Sequence, residues 1–110
     1  MLPPAHDADL ARLVRRGFLS IDQLDEEDEF RFSIHVLAYL TASENAHYQY
    51  RTGLFDEDRW RLYRARLQRF MRFPGVKGWW TTNDYSVDFG PEFVALVSEI
   101  LGEEPDRADR

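Results

Sequence analysis

Glu44 and His47 stand three residues apart, a spacing that sets a carboxylate and an imidazole on one face of a helix. In di-metal carboxylate bundles two such Glu-x-x-His pairs work with two further glutamates to hold the ions. Here the pair occurs once, and the remaining histidines, His6 and His35, are not spaced to complete it. Only a symmetric dimer would bring a second copy. Coincidence of two common residues is the plainer reading, and no metal ligand is assigned.

Other reactive patterns are thinner still. Arg59, Arg61, Arg64, Arg66, Arg69 and Arg72 put a row of guanidiniums on one helix. A phosphate- or RNA-binding helix would gather them into a stripe. At about 100° per residue they spread round the whole polar side, as a solvated face does. The expectation is that they pair with the acidic start of the preceding helix or with another subunit. Trp79 and Trp80, near Tyr85 and Phe89, fit either an aromatic pocket or partner surface, or a lid over the open end of a helical bundle. Ser20, Ser33, Ser43, Ser86 and Ser98 sit in no nucleophile-elbow or triad pattern. Gly75-Val76-Lys77-Gly78 is too short to cradle a phosphate. No catalytic residue and no cofactor-binding residue stands out, so the chain reads as a protein without enzymatic activity and without a cofactor.

Composition narrows the classes further. The chain has 110 residues, which suits one domain able to bury its own core. Aromatic residues make up 15% of it and supply bulky core material, while cysteine is absent, which rules out disulfides and thiolate metal sites. A net charge of −6 repels phosphate backbones, so a nucleic-acid partner is not expected. The best apolar run, Phe30 to Ala42, is interrupted by Arg31 and His35 and is too short to cross a bilayer. Met1-Leu2-Pro3-Pro4 lacks the charged and apolar regions of a signal peptide. These features predict a cytoplasmic chain with no transmembrane segment, any membrane association coming through a partner.

The elements that must position these residues are helical throughout. Residues 1–6 read as a loose arm, and Asp7 caps a first helix carrying Leu10, Leu13, Val14 and Phe18, with Gly17 as its stop. Ile21 and Leu24 tuck a connector onto the core. The run Asp25-Glu26-Glu27-Asp28-Glu29 could dock a basic partner, but it suits the first turn of the next helix, where the backbone dipole favours negative charge. That helix should span about residues 26–52 and stop at Gly53.

The long helix carries two stripes. Phe30, Ile34, Leu37, Thr41, Glu44 and Tyr48 follow 4-3-4-3-4 spacing, and so do Phe32, Val36, Tyr39, Ser43, Ala46 and Tyr50 on nearly the opposite side. A helix apolar on two sides is sandwiched. Asp56 caps the next helix, with Phe55 and Trp60 at staple positions and Trp60, Tyr63, Leu67, Phe70 and Met71 on its inner face as far as Phe73. Val76, Trp79 and Trp80 suggest a short helix. Pro91 opens a last one with Phe93, Val94, Val97, Ile100 and Leu101 inward, and residues 102–110 read as a disordered tail. The fold expected is an all-α small bundle, residues 7–101, built on a long antiparallel helical hairpin with short flanking helices.

The short turn at Gly53-Leu54-Phe55 sets the hairpin register: Tyr48 lies level with Trp60, Leu40 with Leu67, and Glu44 with Arg64. Taking the Phe30 stripe as the inner one leaves Glu44 as the charge within it. A carboxylate buried without a partner costs several kcal/mol. A Glu44–Arg64 ion pair is therefore expected, with a pocket near Glu44, Tyr48, Trp60 and Arg64, lidded by Trp79 or Trp80, as the alternative. The other stripe, represented by Phe32, Val36, Tyr39 and Tyr50, is then the candidate dimer face, unless the first or last helix covers it.

The ordered string Glu44-Asn45-Ala46-His47-Tyr48-Gln49-Tyr50, Gly53-Leu54-Phe55-Asp56-Glu57 with Trp60, Pro74-Gly75-Val76 with Trp79-Trp80, and Pro91-Glu92-Phe93 resembles an uncharacterised family of small bacterial helical proteins. The likeness covers about residues 8–101. It implies the helix–turn–helix core and a soluble module near a membrane, since many members place this domain after hydrophobic segments. This chain has no such segment, and the resemblance carries over no functional residue. Taken together, the residues point to a non-enzymatic protein-interaction or self-association module, a homodimer among the options, with a small-molecule sensor as the alternative.

Overall fold

Two aspartates start the two long helices. Asp25 and Asp56 both take extended backbone, and their carboxylates accept the backbone N–H three residues on, from Asp28 at 2.8 Å and from Arg59 at 2.7 Å. Each cap satisfies one donor that has no partner inside the helix. The structure, a computed structural model, describes residues 4–20, 24–82 and 85–103, with residues 4–10 and 85–86 described by backbone alone. Among these residues the chain forms α1 (Pro4–Leu19), α2 (Glu26–Arg51), α3 (Glu57–Met71), α4 (Pro74–Thr82), a 3-10 turn (Tyr85–Asp88) and α5 (Pro91–Gly102), and no strand. The all-α bundle on a long hairpin is the architecture observed. Among the described residues no helix is long and apolar enough to cross a membrane.

The hairpin turn has a definite cause. Gly53 sits at φ 86, a conformation that a Cβ disfavours. Its N–H donates to the Tyr50 carbonyl at 3.1 Å, and the next N–H, from Leu54, donates to Gln49 at 2.7 Å. This pair of bonds is the Schellman closure, and it satisfies two carbonyls that the end of α2 would otherwise leave open. The chain then reverses into Asp56 and α3.

Several boundaries differ from expectation. α1 begins at Pro4, within the stretch read as an arm, so Asp7 lies inside the helix and is not its cap. It also runs through Gly17 to Leu19. The glycine has another use: a Cβ there would strike the ring of Phe32. Gly75 in α4 is tighter still, because its Cβ would overlap the backbone carbonyl of Gly17. Two glycines thus let α1 and α4 cross at backbone contact, with Phe32 of α2 beneath. α3 ends at Met71, before Phe73. Phe55 packs on Tyr63 at 5.3 Å between ring centroids and does not form the expected staple with Trp60. The expected arm at 1–3, Ile21 and the tail at 104–110 lie outside the described residues.

The core gathers on one side of α2. Phe32, Val36 and Leu40 are completely buried, joined by Leu67 and Met71 of α3, Val76 and Trp79 of α4, and Phe93 and Val97 of α5. Phe18 of α1 meets Phe32 and Phe70 edge-on and stacks on Phe73 at 4.6 Å. Filling a packed crossing with an extra methyl costs about 1–3 kcal/mol. Gly75→Ala is therefore expected to lower the unfolding free energy by about that amount and to expose α1 to limited proteolysis. Equal stability and equal protease resistance to the parent would show that α1 does not dock at this crossing.

Candidate functional site

The side of α2 that faces the bundle is the one read from sequence as a dimer face. Phe32 and Val36 are fully buried within the chain. Tyr39 lies on Phe70 at 4.2 Å, and Tyr50 stacks on Trp60 at 5.2 Å while its hydroxyl donates to the Glu57 carboxylate at 2.8 Å. Phe32, Val36, Tyr39 and Tyr50 are therefore core and hairpin contacts, and the dimer-face expectation fails for them. The reason is charge. Their stripe contains none, whereas the Phe30 stripe carries Glu44, and burying the uncharged side avoids desolvating a carboxylate.

The Phe30 stripe turns outward instead. Phe30 is 66% exposed, Ile34 52%, Leu37 37% and Tyr48 53%, and Thr41 is exposed between them. At the far end Arg51 places its guanidinium 5.6 Å from the centre of the Tyr48 ring. Thr41, Glu44, Asn45, Tyr48 and Arg51 line an open cleft on this side. The structure does not bring Trp60 or Arg64 into that cleft, so the enclosed pocket expected from sequence is not formed by those four residues.

Glu44 is held elsewhere than expected. Its Oε2 accepts the backbone N–H of Gly90 at 2.7 Å. Gly90 is the N-cap of α5 and has no side chain with which to cap it. Glu44 thus places a negative charge at the positive end of α5 and ties that helix to α2. Arg64 pairs with α5 instead, donating to Glu99 and Glu103 at 2.8 Å each, and Gln68 donates to Glu103 at 2.7 Å. The hydrogen bond that Arg64 donates to Glu103 is the main cause of its raised pKa, so the guanidinium stays charged. The expected Glu44–Arg64 pair is not present. The hairpin register set their heights, but they leave their helices toward different parts of α5.

The aromatic residues are mostly structural. Trp79 is fully buried and its indole N–H donates to the Ser33 hydroxyl at 2.8 Å; Trp80 is buried against Phe89 at 5.7 Å. Trp60 is buried between Tyr50 and His47. Trp79 and Trp80 are thus core, in line with the bundle-end reading, none of the three tryptophans is a partner surface, and of the four residues assigned to a pocket or partner surface only Tyr48 is exposed. Three other guanidiniums of α3 make local contacts: Arg61 with Asp58 at 3.2 Å, Arg59 over Phe55 and Arg66 over Tyr63.

His47 lies between Trp60 at 5.1 Å and Phe93 at 6.3 Å, with Nδ1 enclosed and without a hydrogen-bond partner. Burial, with the charge of Arg51 adding to it, holds its pKa below the ordinary histidine value. With Glu44 taken by Gly90, the two do not form a ligand pair, and no group of three or more His, Asp and Glu gathers for a metal among the described residues. Family models, curated proteins and solved structures were compared with the chain, and none matches.

Two measurements follow. Glu44→Ala should cost about 1–2 kcal/mol of stability, and Glu44→Gln less, because the amide still accepts from Gly90. In a double-mutant cycle Glu44→Ala and Arg64→Ala should add within about 0.5 kcal/mol, while Arg64→Ala and Glu103→Ala should not. Coupling between Glu44 and Arg64 above that margin would restore the ion pair. His47 supplies the second. Its folded-state pKa is depressed, so the unfolded chain binds its proton at higher pH and stability falls as pH drops below about 6.5. The melting temperature of His47→Leu relative to the parent should therefore rise as pH is lowered from about 8 to about 5. A gap independent of pH would show that the imidazole is not held neutral by its surroundings.

Proposed function

We propose that this domain is a non-enzymatic protein-interaction module whose working surface is the outward stripe of α2. One observation carries the reading. The side chains of Phe30, Ile34, Leu37 and Tyr48 lie in a row on one side of a helix whose opposite side already holds the core. Contiguous exposed apolar surface on a folded domain marks a place where another surface docks. A helix presenting anchors at 4-3-4 spacing is suited to another helix, since those positions fill the hollows of a facing partner.

The functional anatomy then divides along α2. Its inner side, through Phe32, Val36 and Leu40, holds the bundle together. Its outer side presents apolar anchors with an acidic first turn at one end and Arg51 at the other. We place such a module in the cytoplasm, with any membrane association coming through a partner.

Site-specific photo-crosslinking tests the reading. A photoreactive amino acid placed at Ile34 should yield discrete protein adducts in source cells, and the same group at Arg61, on the exposed side of α3, should not. Equal or absent adducts at the two positions would rule out the stripe as a docking surface.

A further inference from the structure

The outward stripe also ends in charges of opposite sign, which suits it to a second copy of itself. Extended by one position at each end, it reads Glu27, Phe30, Ile34, Leu37, Thr41, Glu44, Tyr48, Arg51. The steps are 3-4-3-4-3-4-3, which is the same sequence of steps in both directions about a midpoint between Leu37 and Thr41. Resting on the interaction reading above, we propose that this surface binds a second copy of the chain, with the two α2 helices antiparallel about a two-fold axis at that midpoint.

In this register each layer joins unlike residues that suit one another. Leu37 meets Thr41 of the second copy next to the axis. Phe30 meets Tyr48, an aromatic pair with Arg51 already lying over the tyrosine ring. At both ends Glu27 meets Arg51, closing the seam with opposite charges. Within one chain neither residue has an ion-pair partner among the described residues, and both are exposed. Antiparallel packing of heptad-type seams places the first anchor of each repeat opposite the second anchor of the partner, and the layers 27–51, 30–48, 34–44 and 37–41 all do so.

The remaining layer sets Ile34 against Glu44, which would be poor if the carboxylate stood in the seam. In the structure its Oε2 accepts the Gly90 N–H at 2.7 Å, so the charge is already engaged by the start of α5. A parallel pair, by contrast, would bring Glu27 against Glu27 and Arg51 against Arg51. It would also set the acidic first turns, Glu26 to Glu29, side by side with their helix dipoles aligned. Like charges facing one another across an interface cost several kcal/mol, which selects the antiparallel arrangement. The seam is roughly 36 Å long at about 1.5 Å per residue, and its mixed layers suit a reversible, micromolar association.

Sedimentation equilibrium of the full chain across low to high micromolar concentration tests this. A concentration-dependent dimer is expected. Leu37→Glu, at an exposed position, should weaken it by about tenfold or more without changing the melting temperature extrapolated to dilute protein. Glu27→Arg and Arg51→Glu should each weaken it, and the double swap should restore it, which only the antiparallel register allows. The chain contains no cysteine, so an equimolar mixture of Glu27→Cys and Arg51→Cys chains should oxidise to the mixed disulfide in preference to either homodimer. A monomer at all concentrations, a dimer indifferent to Leu37→Glu, or a double swap without rescue would overturn the inference. Should the chain stay monomeric, adducts at Ile34 to a different protein would still support the interaction reading, so the two can fail separately.

Discussion

An ionised carboxylate does not enter an apolar core without a partner, and that constraint orients α2. Two stripes of matching spacing run along this helix, and either could have been turned inward. Only one is free of charge. Placing Phe32, Val36 and Leu40 inside leaves Glu44 at the margin, where the N–H of Gly90 receives it and the beginning of α5 gains a negative charge. The rest of the bundle follows from that orientation. α1 and α4 cover the Phe32 end, α3 covers the Tyr39–Tyr50 flank, and α5 is drawn in at Gly90 and fastened to α3 through Arg64, Glu99 and Glu103.

Local signals in the sequence located the elements well. Asp25 and Asp56 cap where acidic residues precede apolar periodicity, Gly53 closes the hairpin, and Pro91 opens α5. Each depends on a few adjacent residues, so each can be read without knowing the fold. The site was less legible. The hydrogen bond from Gly90 to Glu44 spans 46 residues and the pair Arg64–Glu103 spans 39. Periodicity describes one helix at a time and cannot say which other helix supplies a partner. The hairpin register gave Glu44 and Arg64 the same height, yet equal height on two helices is not contact when a third helix lies between their directions. A signal for the true arrangement did exist: Glu99 in the last turn of α5 and Glu103 at its C-cap are four residues apart, spaced to present two carboxylates to one guanidinium.

The glycines show a second kind of gap. Gly17 falls near the end of an apolar pattern and so reads as a helix stop. It lies inside α1, where the absence of a Cβ lets Phe32 and the backbone of α4 approach. A glycine that ends a helix and one that permits a crossing look alike in a single chain, because the difference lies in what faces it. At Gly53 the adjacent Asp56 cap resolves the ambiguity; at Gly17 nothing local does.

The stripe left outside is the more informative outcome of this competition. A helix needs only one apolar side to join a bundle, and propensity is served as well by charged residues as by Phe30, Ile34 and Leu37 on the other. Exposed isoleucine and phenylalanine do nothing for the fold of a single chain, and they raise the risk of indiscriminate association. In the proposed pairing Glu27 and Arg51 would limit that risk, because a surface bounded by one acid and one base accepts a partner in one direction and resists the reverse. The carboxylate of Glu44 serves both sides of this division. Its bond to the Gly90 N–H ties α5 to α2, and in the proposed pairing the same bond would draw the charge away from the facing helix.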